Sequence, residues 1–505
     1  MKPYTPPSIQ RLGSEPCNPW RLGSTPSCTA IDGVVVSHLV KEHGSPLFVF
    51  SEATLRAKYR EAKRAFDRRY PDVKFAWSYK TNYLNAICRV FHQEGSIAEV
   101  VSDFEYEKAR RNGVPGHEII FNGPYKTRAA LERAADDGAM IQVDNLDELL
   151  LLGEIATGRT KPIAVALRVY LETGTNATWS KFGFNADNQE ALRVVRRLLQ
   201  MPGLVLQGFH AHLGTFILDP EAYRQSATTL VRLALEAEKL GAGPIRYLNL
   251  GGGFASHARL HGQYLPPEQA TPSFDRYAEA ICDTVTQLWP TGRTLPRLYL
   301  ETGRALVDEA GYLISTVVAV KRRMIAPAQP LAGVLKAYGK DASATVSAST
   351  QETSRPALIL DAGVNLLYTT TWYQHSILPA RACSDLPVPT TVYGCLCMNI
   401  DVIREEAPLP GLTTGEQVVL HPVGAYNLTQ SMQFITYRPA VVMIGLDGKV
   451  HVIRRGENLD YVQELEEMPE HLAQSTPKKT NGPHPGHSRR NGVPHLNGNK
   501  GGHRP

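Results

Sequence analysis

"KFAWSYKTNYLNAICRVF", residues 74–91, joins a short apolar stretch to a helical pattern through a lysine. The residues from Phe75 to Tyr79 have the character of a buried strand, and an apolar pattern with helical spacing begins a few residues after Lys80. Most lysines at a strand end extend their ammonium group into water, so this lysine alone indicates no function. The stretch predicts a strand followed by a helix, and the chain repeats that unit.

The strand–helix unit recurs at intervals of roughly 25 residues between residues 44 and 310. The other strand candidates are residues 44–50, 96–101, 118–123, 140–145, 163–170, 205–214, 245–254 and 297–306. About eight units of this kind predict an α/β fold with a parallel (β/α)8 TIM-like barrel, and a doubly wound parallel sheet is the alternative.

The regions outside this run have a different composition. Residues 1–43 begin with a stretch rich in Pro, Ser and Gly and are expected to form a flexible segment leading into the fold. Residues 311–455 contain short β-rich runs separated by turns, which predict a C-terminal all-β domain. Residues 456–505 form an extension that is expected to be disordered from about residue 474.

The overall composition excludes several classes of protein. The chain is 43% hydrophobic and 20% charged, as in ordinary globular proteins. Its net charge of +5 comes from residues 474–505, because the remainder holds 48 basic and 49 acidic residues. A nearly neutral body argues against a nucleic-acid surface. The seven scattered cysteines predict no disulfide framework, and no apolar stretch is long enough for a membrane span. We therefore expect a cytoplasmic protein without a membrane partner.

Candidate functional residues cluster at the predicted C-terminal ends of the barrel strands, where (β/α)8 barrels have their active sites. They are Lys80, His210, His212, Thr215, Gly251, Gly252, Gly253, Glu301, Gly303 and Arg304. Each has a simple structural explanation when it is taken alone. Together they supply an amine that can condense with an aldehyde, an arginine and a glycine turn for a phosphate, and a carboxylate for a ring nitrogen. These are the parts of a pyridoxal 5'-phosphate (PLP) site, and no metal site is predicted.

The sequence resembles the fold-type III PLP-dependent decarboxylases, most closely the diaminopimelate decarboxylase-like branch beside the ornithine and arginine decarboxylases. The resemblance runs from about Gly44 to Gly445. It rests on "SYKTN" (78–82), "SKFGF" (180–184), "HLGT" (212–215), "GGGF" (251–254), "ETGR" (301–304), "DAGVN" (361–365), "GCLCMNID" (394–401) and "GAYN" (424–427).

The resemblance implies four catalytic residues. Lys80 would hold PLP covalently, with an amine whose pKa is lowered by burial, and His212 would stack on the pyridine ring. Glu301 would stabilise the protonated ring nitrogen, which favours decarboxylation over racemisation. Cys397 would return a proton to the α-carbon after carbon dioxide has left. An amino-acid carboxy-lyase is therefore expected, and the alternatives are a PLP-dependent racemase or epimerase and a non-catalytic homologue that binds other proteins.

The resemblance also implies the cofactor contacts and the assembly. The residues expected to bind PLP are Lys80, His212, Thr215, Gly251, Gly252, Gly253, Glu301, Arg304 and Tyr426. Cys397, followed by Asp401, matches a Cys-x-x-x-Asp element that reaches into the active site of the other subunit in this family. A head-to-tail homodimer with two shared active sites is therefore implied.

The substrate-binding pattern departs from that of diaminopimelate decarboxylases, which have Arg-Pro-x-Leu-Tyr after the "DAG" motif and Glu after the catalytic Cys. Here Tyr373 aligns with the tyrosine, Thr369 stands in place of the arginine, and Met398 stands in place of the glutamate. Tyr373, Met398 and Asp401 are expected to contact the substrate. Loss of two charged contacts predicts a modified or carrier-linked amino acid as substrate, unless Arg381 or Arg404 moves into the gap.

Overall fold

The computed structural model describes residues 26–174, 178–324 and 354–473. Its strands are β1 (Ala30–Ile31), β2 (Val34–Val35), β3 (Leu47–Ser51), β4 (Val73–Ser78), β5 (Ile97–Val100), β6 (Ile119–Phe121), β7 (Met140–Val143), β8 (Ile163–Tyr170), β9 (Phe184–Asn185), β10 (Leu204–Ala211), β11 (Tyr247–Asn249), β12 (Arg259–Leu260), β13 (Arg297–Thr302), β14 (Gly311–Met324), β15 (Ser354–Leu360), β16 (Tyr373–Gln374), β17 (Ser376–Pro379), β18 (Val388–Tyr393), β19 (Val402–Leu409), β20 (Gln417–His421), β21 (Val441–Ile444) and β22 (Val450–Arg454). Its helices are α1 (Val36–His43), α2 (Glu52–Asp67), α3 (Asn85–Gln93), α4 (Asp103–Arg111), α5 (Arg128–Asp136), α6 (Leu146–Ala156), α7 (Glu190–Leu199), α8 (Pro220–Lys239), α9 (Pro267–Ala270), α10 (Phe274–Ala278), α11 (Thr284–Leu288), α12 (Arg304–Val307), α13 (Leu459–Val462) and α14 (Glu470–Ala473).

Eight parallel strands close into a barrel, as the repeated strand–helix units predict. They pair in the order β10-β11-β13-β4-β5-β6-β7-β8, and β8 pairs with β10 to complete the ring. This closure excludes the doubly wound sheet, which has two open edges. Because all eight strands run the same way, the residues that follow each of them converge at one mouth of the barrel.

Short capped connections place three barrel helices soon after their strands, and a cap of the same kind begins α2 after β3. The side chains of Ser51, Ser102, Thr127 and Asn145 each accept a hydrogen bond from the backbone N–H three residues later. Each such cap contributes about 1 kcal/mol to helix stability and fixes the first turn. As a result, the chain leaves the mouth of the barrel soon after the ends of β5, β6 and β7, whereas longer connections follow β8, β10 and β11.

The second sheet combines C-terminal strands with one strand from the N-terminal region. Its order is β19-β18-β15-β14-β3-β21-β22, and β20 pairs with both β14 and β17. β3 runs antiparallel to β14 and parallel to β21. The expectation that residues 44–50 begin the barrel is therefore wrong. All five residues of β3 are buried, and an uninterrupted apolar run is typical of the central strands of either sheet.

Residues 30–43 are folded onto the second sheet, which corrects the expectation of a flexible segment for this part of residues 1–43. Ile31 of β1 and Val36 and Leu39 of α1 are buried in a cluster with Leu47 and Val49 of β3. Residues 1–25 and the tail from 474 lie outside the described residues. Residues 458–473, which contain α13 and α14, belong to a separate unit. Among the described helices, none is long and apolar enough to cross a membrane.

Candidate active site

A cavity of about 390 Å³ lies at the C-terminal ends of the barrel strands. Eight of the residues selected from the sequence line it: Lys80, His212, Thr215, Gly253, Glu301, Gly303, Arg304 and Tyr426. Glu99, Asn122, Arg168, Trp179, Phe182 and Trp372 also line it, although sequence reasoning did not select them. The structure therefore brings most of the predicted cofactor-binding residues to one place.

Lys80 is paired with a buried glutamate that sequence reasoning missed. It lies in a 3₁₀ turn directly after β4, and its Nζ donates to Glu99 Oε1 at 2.8 Å and to Oε2 at 2.6 Å. Burial alone would lower the pKa of Lys80, but the charges of Glu99 and Glu301 outweigh it and the pKa is raised. The predicted lowering is therefore wrong for the lysine in this pairing. The only sequence signal was a charged residue inside the apolar run "SIAEVV", residues 96–101.

Glu301 is buried and ionised, with one carboxylate oxygen free to bind a ligand. Its Oε1 accepts hydrogen bonds from Asn122 Nδ2 at 2.6 Å and Asn249 Nδ2 at 2.7 Å. Its Oε2 lies 3.4 Å from His210 Nε2 and accepts no hydrogen bond from the described residues. Burial would raise the pKa of Glu301, but His210 and Lys80 lower it below its usual range. Such an oxygen fits the N–H group of a protonated pyridine ring.

His212 presents a neutral ring to the cavity. Burial, reinforced by the charges of Arg168 and Lys80, lowers the pKa of His212 to about 3. Its ring stacks on Trp179, with centroids 5.4 Å apart and planes 21° apart, and its Nδ1 accepts a hydrogen bond from the N–H of Gly214 at 3.2 Å. A neutral, fixed imidazole is suited to lie against a planar ring. Trp179 comes directly before the "SKFGF" motif, and nothing in the sequence distinguished it from an ordinary buried aromatic residue.

The glycine turn after β11 is too tightly packed for any side chain. A Cβ atom on Gly251 would lie 2.6 Å from the carbonyl oxygen of Ala211, and one on Gly252 would lie 2.2 Å from that of Glu301. Gly253 has a φ of +95° and lines the cavity, whereas Gly251 and Gly252 lie behind it. Bare N–H groups in such a turn can bind a phosphate.

Arg304 follows the end of β13 and is 5% exposed. Its Nη1 donates to the hydroxyl of Tyr373 at 3.1 Å, while its Nε has no hydrogen-bond partner among the described residues. The guanidinium carbon lies 4.8 Å from the ring centroid of Tyr426 and 4.9 Å from that of Phe216. A buried cation with an unused donor, close to the glycine turn, fits a phosphate group. The lining residues as a whole therefore fit PLP.

The four residues predicted to act on the substrate do not line the cavity. Tyr373 is buried between Arg304 and Asp308, and Asp401 is 2% exposed with its carboxylate accepting from the N–H groups of Val364 at 2.8 Å and Leu396 at 2.7 Å. Asp401 therefore fastens the loop over residues 394–401, and its expected contact with the substrate stays a prediction. Cys397 is exposed on this loop and Met398 is half-buried there. Within a single chain neither of them reaches the cavity.

Thr369, which stands where diaminopimelate decarboxylases have an arginine, does not line the cavity. It is fully buried, and its Oγ1 donates to Asn427 Oδ1 at 2.9 Å and lies 3.1 Å from His375 Nε2. Arg404 donates to the carbonyl oxygen of His375 at 3.1 Å. Arg381 is bonded to Glu416 and to the carbonyl oxygen of Gly411. Neither arginine lines the cavity, whereas Trp372 does.

Comparison with known proteins agrees with this geometry. The family model for the pyridoxal-binding domain of pyridoxal-dependent decarboxylases matches residues 52–308, a range that begins directly after β3. The chain is 29% identical over 455 residues to the diaminopimelate decarboxylase of Methanothermobacter thermautotrophicus, covering 88% of this chain and 96% of that protein. It is 26% identical over 447 residues to that of Aquifex aeolicus, covering 86% and 94%. The crystal structure of the M. jannaschii diaminopimelate decarboxylase in complex with L-lysine is similar with a TM-score of 0.76 and 25% identity, covering 89% of this chain and 100% of that chain.

Proposed function

We propose, on the premise that the chain belongs to the pyridoxal-dependent decarboxylase family, that it removes the α-carboxylate of an amino acid whose distal end carries no free carboxylate. PLP-dependent decarboxylation of an amino acid is the activity of its relatives and of this chain. The chemistry of the distal end is the new part of the proposal. It favours a modified or carrier-linked amino acid over meso-diaminopimelate.

The observation that carries the proposal is that every arginine and lysine lining the cavity has a carboxylate of this chain within 4.0 Å. Lys80 lies 2.6 Å from Glu99, Arg168 Nη1 lies 3.5 Å from Asp144, and Arg304 Nη1 lies 4.0 Å from Asp308. The phosphate of PLP would occupy the remaining donors of Arg304. Among the described residues, no cation in the cavity is then left for a second substrate carboxylate, which would be costly to bury without one.

Aromatic rings take the place of charged groups on the remaining walls. Trp179, Phe182 and Trp372 line the cavity, and the indole of Trp372 is 39% exposed. Such surfaces bind an amide, an ester or an apolar chain by contact and desolvation rather than by ion pairing. A distal carboxylate blocked by amidation or by attachment to a carrier would fit these walls.

The residues around Lys80 and Glu301 perform separate tasks in the reaction. When it is bound, PLP supplies the electron sink for the electrons of the Cα–carboxylate bond. Glu99, held by Ser78 Oγ at 2.5 Å and Asn122 Nδ2 at 3.0 Å, would orient the amino group of Lys80, the nucleophile that condenses with the cofactor aldehyde. Glu301, fixed by Asn122 and Asn249, would keep the ring nitrogen protonated. The stacked pair of His212 and Trp179 would hold the ring plane and exclude water.

The proton that replaces carbon dioxide at the α-carbon would come from a second copy of the chain. Cys397 and Met398 lie on the loop fastened by Asp401, outside their own cavity. A head-to-tail homodimer would bring this loop into the cavity of the neighbouring subunit, with the Cys397 thiol as the donor. The dimer and the shared site are parts of the proposal, and its support is the exposure of the loop together with the family resemblance.

A direct test offers the full-length protein with PLP to separate substrates. Meso-diaminopimelate, its derivative amidated at the distal carboxylate, lysine, ornithine and arginine would each be incubated and their products weighed by mass spectrometry. The amidated derivative should lose carbon dioxide with a kcat/KM at least about tenfold above that of meso-diaminopimelate. If meso-diaminopimelate were the best substrate, the distal-end proposal would be wrong. A product that keeps its carboxylate but changes configuration would point to the racemase alternative.

A further inference from the structure

The hydroxyl of Tyr373 is inserted between two opposite buried charges. It accepts a hydrogen bond from Arg304 Nη1 at 3.1 Å and donates towards Asp308, lying 3.3 Å from Oδ1 and 3.4 Å from Oδ2. Arg304 Nη1 itself lies 4.0 Å from Asp308 Oδ2. All three side chains are at most 5% exposed. The ion pair is therefore bridged by a hydroxyl and is not formed by direct hydrogen bonds.

A direct pair would be the usual outcome for a buried arginine and aspartate, because the guanidinium and carboxylate groups match in shape and charge. Asp308 is held back by other donors, Ser256 Oγ at 2.6 Å and the N–H of Ala425 at 3.3 Å. The guanidinium of Arg304 is surrounded by rings, with the centroids of Trp372 and Tyr373 at 5.8 and 5.3 Å in addition to those of Tyr426 and Phe216. These rings hold the plane of the guanidinium group in place, but they offer no hydrogen-bond acceptor in that plane for its N–H groups.

We propose that the Tyr373 hydroxyl is a spacer that keeps Arg304 from pairing directly with Asp308 and so keeps its remaining donors available to the phosphate of PLP. Tyr373 is then a positioning residue and not a substrate contact. The inference concerns the cofactor and does not depend on the identity of the substrate. Its sequence basis is the co-occurrence of Asp308, four residues after Arg304, with a tyrosine at position 373.

The spacer makes a specific prediction for Tyr373→Phe. Without the hydroxyl, Arg304 would turn to Asp308, and binding of the phosphate would have to break that pair. The Kd for PLP of the full-length protein, freed of cofactor and measured by equilibrium dialysis, should rise about tenfold or more. The Kd for pyridoxal, which lacks the phosphate, should change less than about twofold. Tyr59→Phe is the control, because its buried hydroxyl has no hydrogen-bond partner among the described residues.

Asp308→Asn removes the competing charge and completes the test. The double variant Tyr373→Phe/Asp308→Asn should bind PLP within about threefold of the wild type, since Arg304 has no carboxylate to turn to. Asp308→Asn alone should bind PLP at least as tightly as the wild type. An unchanged PLP affinity in Tyr373→Phe, an equal loss for pyridoxal, or a double variant as weak as Tyr373→Phe would each overturn the spacer. If Tyr373→Phe does not fold, the single variant Asp308→Asn still tests the spacer, because weaker PLP binding by that variant would overturn it.

Discussion

Two walls of the cavity use their polar side chains in opposite ways. On the barrel wall, which we define as Lys80, Glu99, Asn122 and Glu301, polar groups point into the cavity from the ends of strands. On the domain wall, residues 369–373 of the second domain, Thr369 and Tyr373 make their hydrogen bonds inside the protein and only Trp372 lines the cavity. The strand ends of a closed barrel converge on its axis, whichever side chains they carry. A connecting segment can point the same residue types either into the cavity or into the protein interior.

The largest effect should come from Lys80 on the barrel wall. Lys80→Arg keeps a cation beside Glu99 but cannot form the covalent bond to PLP. Decarboxylation should fall about 10⁴-fold or more. After reduction with borohydride, intact-mass spectrometry should show added cofactor on the wild type and none on the variant. Covalent cofactor on Lys80→Arg would place the reactive amine elsewhere.

A charge placed on the domain wall should damage the fold and not the specificity. Thr369→Arg would bury a guanidinium among Asn427 and His375, at a position that does not reach the cavity. We expect a loss of about 3–5 kcal/mol in the free energy of unfolding and no gain in turnover of meso-diaminopimelate. Thr369→Ser keeps the hydroxyl and is the control in urea unfolding. A stable variant with increased turnover would show that the domain wall faces the cavity after all.

Removing the charge of Glu301 should reduce the rate while keeping the fold. Glu301→Gln keeps an acceptor for Asn122 and Asn249 but no longer holds a protonated ring nitrogen by charge. The kcat/KM should fall about 10²-fold to 10³-fold. Glu105→Gln is the matched control, since Glu105 is also buried but does not line the cavity. Equal losses in the two variants would mean that the effect is not specific to the barrel wall.

His375, which contacts Thr369 of the domain wall, should be visible in the pH dependence of stability. Burial lowers the pKa of His375 to about 4, and its Nδ1 lies 2.6 Å from the carbonyl oxygen of Pro422. A depressed pKa stabilises the fold above the unfolded value near 6.5, and that stability is lost as the pH falls towards 4. His375→Gln should flatten this slope by up to about 1.4 kcal/mol per pH unit. An unchanged slope in His375→Gln would refute the assignment.

The smallest effect should come from Trp372, the part of the domain wall that does line the cavity. Trp372→Ala removes a ring that contacts Arg304 and Tyr426. The KM of the preferred substrate should rise about tenfold or less, with kcat changed less than about threefold. Trp372→Phe should recover most of the loss. A large fall in kcat with unchanged KM would assign the indole to the reacting groups.

Sequence reasoning selected residues that lie around one cavity where position in the chain determines the direction of the side chain. The barrel, Lys80, His212, the glycine turn, Glu301 and Arg304 all follow from strand ends and motif order. Glu99 was missed because its contact with Lys80 depends on which strands are neighbours in the sheet. Ser78, at the end of β4 just before Lys80, stands opposite Glu99 of β5. Asp401 and Tyr373 were assigned to the substrate because a motif identifies the residue and not the direction of its side chain.

The position of β3 has a consequence for how the protein is made. This apolar strand leaves the ribosome before the barrel, but its two partners, β14 and β21, follow the barrel in the chain. Both of its edges therefore stay unpaired while the barrel is synthesised, and such edges readily pair with other chains. Nascent protein should depend on chaperones during this interval. A fragment starting at Glu52 would retain every residue of the cavity and still lack the central strand of the second sheet.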